Sequence, residues 1–230
     1  RRCWLGNAGR SFHVVDIATG QSLFTADHTT ISSPITGGVS LFSGDLGQFA
    51  TRAYVTDADG VLWRLDMSSP DRSQWTFVPM HDLFWADGAT VGQGMAEPPV
   101  VSVDNQGDPV VVVGAGDLDN LESLTPMRVA SITEHVDHTQ TPSPSTMNVN
   151  WEIRLQAGEQ VTGPMELYAN TVYFATWQAT TDPTNACATG RGRLWGVDYL
   201  NAASGTASPY TTGIPGRFPR PGLVGSSGAV

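Results

Sequence analysis

The sequence contains no lysine; all twelve basic residues among its 230 are arginine. A Schiff-base lysine is therefore excluded, as is a phosphate-binding loop that depends on one. Positive charge is scarce altogether: 22 acidic residues face 12 basic ones, for a formal net charge of −10. That balance argues against a polyanionic partner, whether nucleic acid or an anionic bilayer. No run approaches the roughly 18 apolar residues that span a bilayer. The start, Arg1-Arg2-Cys3-Trp4, lacks the apolar core of a signal peptide. Removal of a signal, or an internal position in a longer protein, would account for such a start. Helical periodicity is nearly absent. Cysteine is limited to Cys3 and Cys187, an even count that fits an oxidising compartment in a chain rich in Trp, Gly and Pro. These two are the candidate disulfide; the alternatives are two separate thiols, or a bond to chain beyond this sequence. If they pair, the loop closed is long enough to stabilise by on the order of 5 kcal/mol, less any native strain.

What the sequence does contain is a repeat. Phe12-His-Val-Val-Asp16-Ile-Ala-Thr-Gly20, Leu62-Trp-Arg-Leu-Asp66-Met and Leu194-Trp-Gly-Val-Asp198-Tyr-Leu-Asn-Ala-Ala-Ser-Gly205 each run alternating apolar residues into an aspartate. Asp accepts hydrogen bonds from turn backbone, and Gly takes positive φ without penalty, so each reads as a strand entering a hairpin turn. Asp16 and Asp66 lie 50 residues apart and Asp66 and Asp198 lie 132 apart, about three periods of roughly 44, within the range of propeller blades.

Short segments rich in Val, Tyr, Phe and Trp, bounded by Gly, Pro, Asp and Asn, predict an all-β chain. Strands are expected at 11–16, 22–25, 52–56, 61–66, 76–80, 99–103, 109–114, 127–134, 148–154, 165–169, 171–177 and 193–198. Hairpin turns at Asp57-Ala-Asp59-Gly60 and Asp104-Asn-Gln-Gly107 should place their glycines at φ > 0. Pro109-Val-Val-Val-Val113 lacks alternation, as expected for a strand covered on both faces. Thr139 to Thr146 reads as a Ser/Thr/Pro surface loop. Residues 1–212 are thus expected to form about five blades, part of a larger propeller, and residues 213–230 an extended Pro/Gly-rich tail.

Arg52-Ala-Tyr-Val-Thr-Asp57-Ala-Asp-Gly60-Val-Leu-Trp63-Arg64-Leu-Asp66 resembles a characteristic blade hairpin of the PilY family, the type IV pilus tip adhesin and biogenesis proteins. Two further passages agree, in the same order. They are Met95-Ala-Glu-Pro98-Pro-Val, followed by Asp104 and Val112-Val-Gly114-Ala-Gly116-Asp117, and then Cys187-Ala-Thr-Gly-Arg-Gly-Arg-Leu-Trp-Gly-Val-Asp198. The likeness runs from about Gly37 to Pro221. It implies a modified, partial β-propeller of quinoprotein-like blades, taken from the carboxy-terminal part of a larger protein. It also implies a non-enzymatic role in pilus assembly and surface adhesion, export through the periplasm to the bacterial surface, and minor pilins as partners. Many members of that family carry a calcium loop just before the Arg-x-Tyr-Val strand. Here that window is Ser43-Gly-Asp45-Leu-Gly47-Gln-Phe-Ala-Thr51, and Asp45 is its one carboxylate. A calcium cage wants about 6–8 oxygen ligands. The family site is therefore degenerate; no cofactor is expected, with calcium at this loop as the alternative.

Other constellations have plainer explanations. Glu134-His135-Val-Asp137-His138 offers two imidazoles and carboxylates, as zinc would require. A His-x-x-His pair in a strand points its rings to opposite faces, and no third ligand stands at standard spacing, so solvated loop residues are expected instead. Asp57 with Asp59, and Asp117 with Asp119, are accounted for by turns rather than calcium. No Gly-x-Ser-x-Gly elbow occurs. A propeller glycosidase remains open, since the carboxylate spacing that matters there is spatial. A pyrroloquinoline quinone dehydrogenase, which shares the repeat, would bring an adjacent cysteine pair and a cation near the quinone; Cys3 and Cys187 are not adjacent. A periplasmic assembly scaffold is the third alternative. Trp63 and Trp195 hold equivalent places in the repeat and should be blade core. Trp75, Phe84 and Trp85 fall outside that register and are the candidate protein-interaction patch.

Overall fold

The computed structural model describes residues 8–44, 49–85, 92–178 and 190–201. Among these residues fourteen strands form: β1 (Phe12–Val15), β2 (Ser22–Ala26), β3 (Ser40–Phe42), β4 (Arg52–Thr56), β5 (Val61–Asp66), β6 (Thr76–Asp82), β7 (Val100–Val103), β8 (Pro109–Gly114), β9 (Arg128–Val136), β10 (Ser145–Arg154), β11 (Glu159–Val161), β12 (Glu166–Tyr168), β13 (Thr171–Gln178) and β14 (Arg191–Asp198). A 3₁₀ turn forms at Arg72–Gln74. No helix among the described residues is long and apolar enough to cross a membrane.

The strands assemble as open antiparallel sheets. β3-β4-β5-β6 and β7-β8-β9-β10 are four-stranded meanders, and β1-β2 is a hairpin. In the third large sheet β11 and β12 both pair with β13, which pairs in turn with β14. Edge strands of successive sheets lie side by side, β3 against β7 and β7 against β12. This is the propeller-like arrangement expected from the repeat, with no sheet closed on itself.

All twelve expected strands form, with shifted ends. β3 and β11 were not expected, and each escapes a hydrophobic-pattern reading for its own reason. β3 is three residues long, too short to show a period. β11 is Glu-Gln-Val, and its polar side chains are buried by bonding rather than by hydropathy. The strand expected to reach Ala169 stops at Tyr168. Ala169 and Asn170 have φ of 46° and 63° and form the tight turn between β12 and β13, where the strand twist favours positive φ at both positions.

The repeated aspartates cap their turns as expected. Asp16 Oδ1 accepts from the Ala18 and Thr19 amides, Asp66 Oδ1 from Ser68, and Asp198 Oδ1 from Leu200 and Asn201. Gly60 and Gly107 sit at φ 86° and 90°. Every residue of β8 is buried, so its Val run faces protein on both sides. β8 belongs to a core that extends from Tyr54 and Phe84 through Met95, Ile132 and Trp151 to Trp195. Full burial of one large apolar side chain in such a core contributes about 1.5–3 kcal/mol. A second core joins the β1-β2 hairpin to the first blade. There Phe12 stacks on Phe77 at 5.1 Å and Phe77 on Trp63 at 5.4 Å.

The last 29 residues, 202–230, include the expected tail and lie outside the described residues, as do Cys3 and Cys187.

Candidate functional site

A trough of about 1160 Å³ opens among the described residues. All four residues of β1 line one side, which means that the trough meets the strand's edge rather than one of its faces. β3 and the start of β4 form the other side, and Val15, Val39, Leu41 and Phe49 expose apolar surface into it. Its far rim is built by Gln106 and Gly107 of the β7-β8 turn and by Val136, His138 and Ser143 around the β9-β10 connection.

Arg52 lies at the base of the trough, buried, and belongs to an ionic network that joins the first and second blades. Its Nη1 donates to Asp66 Oδ1 at 2.7 Å and its Nε to Glu134 Oε1 at 3.2 Å. Arg64 Nη1 donates to the same Glu134 oxygen at 2.5 Å and also reaches the Ser145 hydroxyl. The Tyr54 hydroxyl donates to Glu134 Oε2 at 2.5 Å. Alternation along β4 and β5 turns Arg52, Tyr54 and Arg64 toward one face, and the register Arg52↔Asp66 and Tyr54↔Arg64 sets them side by side. Burial alone would raise the Glu134 carboxyl; Arg64, Ser145, Tyr54 and Arg52 more than offset it and hold the group below the ordinary value. Burial and the adjacent Glu134 charge push the Tyr54 phenol well above its usual value.

The other buried carboxylates are engaged as well. Glu159 accepts from Thr176 and Arg193. Asp57 holds its turn through the Asp59 and Val61 amides and accepts the Trp63 indole N–H at 2.9 Å. Burial nevertheless pushes its carboxyl up to about 6. Asp117 Oδ1 accepts the Asp119 amide. Both aspartate pairs thus serve turns, as expected. Asp45 lies outside the described residues.

The expected aromatic patch divides. Phe84 is wholly buried, not exposed; it packs against Gly60, where a Cβ would stand 2.6 Å from Phe84 Cδ2. Trp75 is half-buried and donates its indole N–H to the Ser69 carbonyl at 2.8 Å. Trp85 alone stands out, 75% exposed. Trp63 and Trp195 are blade core, as the repeat predicts.

The histidine cluster departs from the expectation of separated rings. His135 Nδ1 lies 2.9 Å from Asp108 Oδ2, and His138 Nε2 lies 3.7 Å from Asp108 Oδ1. Donor atoms of Asp104, Asp108 and His135 all fall within 4.8 Å of one another. The sequence reading treated Asp104 as a turn residue only. The signal that links it to the histidines is strand register: β8 and β9 pair antiparallel with Val110 opposite Thr133, and two residues further on Asp108 stands opposite His135.

No protein-family model matches the chain, and no curated protein does. Among solved structures, the C-terminal domain of PilY1 from Pseudomonas aeruginosa superposes with a TM-score of 0.55 at 14% sequence identity. The match covers 83% of this chain and 52% of that one, so the chain spans about half the length of the solved domain. At that identity the likeness is one of fold: the chain has a PilY-like, all-β, propeller-like architecture.

Proposed function

We propose that the chain is a non-enzymatic propeller segment of a type IV pilus tip protein, acting in pilus assembly and surface adhesion. The observation that carries this reading is the fold shared with the PilY1 C-terminal domain over most of the chain. The ordered motifs from Arg52 to Asp66, Met95 to Asp117 and Cys187 to Asp198 support it. Such a domain works by shape: rigid blades carry turns and long connections that touch minor pilins or a target surface. Trp85, 75% exposed, is an aromatic suited to such a contact. The buried carboxylates described above are held by arginines, hydroxyls and turn amides, which favours a structural role for them over a hydrolytic one.

The test is intact mass and amino-terminal peptide mapping of the native protein, purified alongside sheared pili. Co-purification with pilins, as part of a chain much longer than 230 residues, is the expected result. A native protein ending near these termini and absent from pili would overturn the reading and return attention to a propeller enzyme. Recovery from the periplasm alone would favour the assembly scaffold.

A further inference from the structure

We propose that Asp104, Asp108, His135 and His138 form a binding site for a divalent transition-metal ion of the zinc class. The inference stands apart from the pilus reading and rests on how two hairpins meet at the rim of the trough. The β7-β8 turn supplies the two carboxylates, and the end of β9 with its following connection supplies the two imidazoles.

The carboxylates are fixed before any ion arrives. Asp104 Oδ1 accepts the Gln106 amide at 2.8 Å and the Asp108 amide at 2.9 Å. Asp108 Oδ1 accepts the Val136 amide at 3.0 Å. Backbone donors that orient ligating carboxylates in this way are the usual support of a metal site. Asp108 is buried, with 5% exposure, whereas the His135 and His138 side chains are 45% and 56% exposed. Asp108 is therefore interior, Asp104 half-buried, and the imidazoles that must adjust are free to do so.

Distances fit a small ion. Tetrahedral zinc with ligands at about 2.0–2.2 Å holds its donor atoms about 3.4 Å apart. The 3.7 Å between His138 Nε2 and Asp108 Oδ1 is near that value, and because His135 approaches the other oxygen, Oδ2, an ion held by both imidazoles would take Asp108 through both oxygens. The 2.9 Å between His135 Nδ1 and Asp108 Oδ2 needs an opening of roughly half an ångström. The donor chemistry selects the metal: two imidazoles with two carboxylates suit zinc, nickel or copper, whereas calcium and magnesium prefer all-oxygen shells. An ion there would staple the β7-β8 turn to the β9-β10 connection across the rim.

The experiment titrates the metal-free 230-residue chain with ZnCl₂ by calorimetry and by competition with a chromogenic zinc chelator, and follows the melting temperature. One equivalent should bind with micromolar affinity or better. The melting temperature should rise by roughly 5–10 °C at a hundredfold excess over Kd, while CaCl₂ leaves it unchanged. His135→Gln and His138→Gln, at half-exposed positions that folding should tolerate, should each weaken binding at least tenfold. His28→Gln and the paired Cys3→Ser and Cys187→Ser variant should bind zinc as the parent does. The proposal is overturned by absence of stoichiometric binding, by undiminished binding in His135→Gln, by loss of binding with the cysteines, or by an equal response to calcium.

Discussion

Replacing Glu134 tests whether the blades are locked by charge or only by apolar packing. The Glu134 side chain is 1% exposed, and its carboxylate receives Arg52, Arg64 and Tyr54. Glu134→Ala leaves Arg52 with Asp66 as its ion-pair partner, removes the carboxylate from Arg64, and strands the Tyr54 hydroxyl. Breaking a buried ion pair by removing one partner costs about 3–5 kcal/mol. With a urea m-value of about 3 kcal/mol/M for a chain of this size, the unfolding midpoint should fall by about 1–1.7 M. Glu134→Gln keeps shape and an acceptor while losing charge, and should cost about 2 kcal/mol. Glu166→Ala, on the exposed surface of β12, is the control and should stay within about 0.5 kcal/mol. If the midpoint of Glu134→Ala moved no further than that of Glu166→Ala, the ionic lock would be refuted. The pH dependence gives a second readout. Because the folded-state pKa of Glu134 is lowered, the network contributes fully above the unfolded carboxyl value, and its contribution is lost as pH falls through the folded one. Glu134→Gln should flatten that acid limb.

Asp57 has the opposite sign: its folded pKa is raised from 3.8 to about 6. The native state then binds the extra proton, and stability should fall by on the order of 3 kcal/mol as pH rises from about 4 to 7; urea titrations of Asp57→Asn should lose that slope. Gly60→Ala should cost more than twice what Gly20→Ala costs in thermal melts. Both have positive φ, but a Cβ at Gly20 meets nothing within 4 Å and one at Gly60 meets the Phe84 ring; strain alone accounts for about 1–2 kcal/mol. If Cys3 and Cys187 are bridged, the unreduced chain should migrate faster than the reduced chain on a denaturing gel, and unchanged mobility with two titratable thiols would reject the bond.

The sequence was most legible where one residue does one local job. Asp16, Asp66 and Asp198 cap turns through their own neighbours' amides, so the motif is visible without any tertiary information. The same holds for Gly60 and Gly107, and for the Val run of β8. Legibility failed where a residue's role depends on register between distant strands. Glu134 looked like half of a loop cluster with His135, yet it pairs with Arg52 and Arg64 from another sheet, 82 and 70 residues away. His135 turned out to face Asp108 across two paired strands. Phe84 and Trp85 are adjacent and equally apolar, and nothing local separates them. The cavity left by the missing Cβ of Gly60 takes one ring, and the other is left in solvent.

The same register logic bears on the trough. The Asp-terminated strand of the repeat is β5 in the first large sheet, third of four, and β14 in the last, third outward past β13. Its counterpart β1 pairs only with β2 among the described residues, so the hairpin corresponds to the outer half of a blade. An isolated two-stranded ribbon is at best marginally stable in water. Here packing replaces pairing: Phe12 stacks on Phe77, Phe24 lies 6.3 Å from Trp75, and Ile31 is wholly buried in the same core. The free edge of β1 opens onto the trough, whose exposed apolar residues are Val15, Val39, Leu41 and Phe49. A small-molecule site places a few polar groups so that they converge on a ligand. This trough presents a strand edge, apolar side chains and an arginine already paired with Asp66 and Glu134, with its polar side chains, among them Gln106, His138 and Ser143, gathered at the far rim. Its shape follows from the edge of β1, which pairs with no strand other than β2 among the described residues, and an open strand edge is a ready template for pairing with further chain.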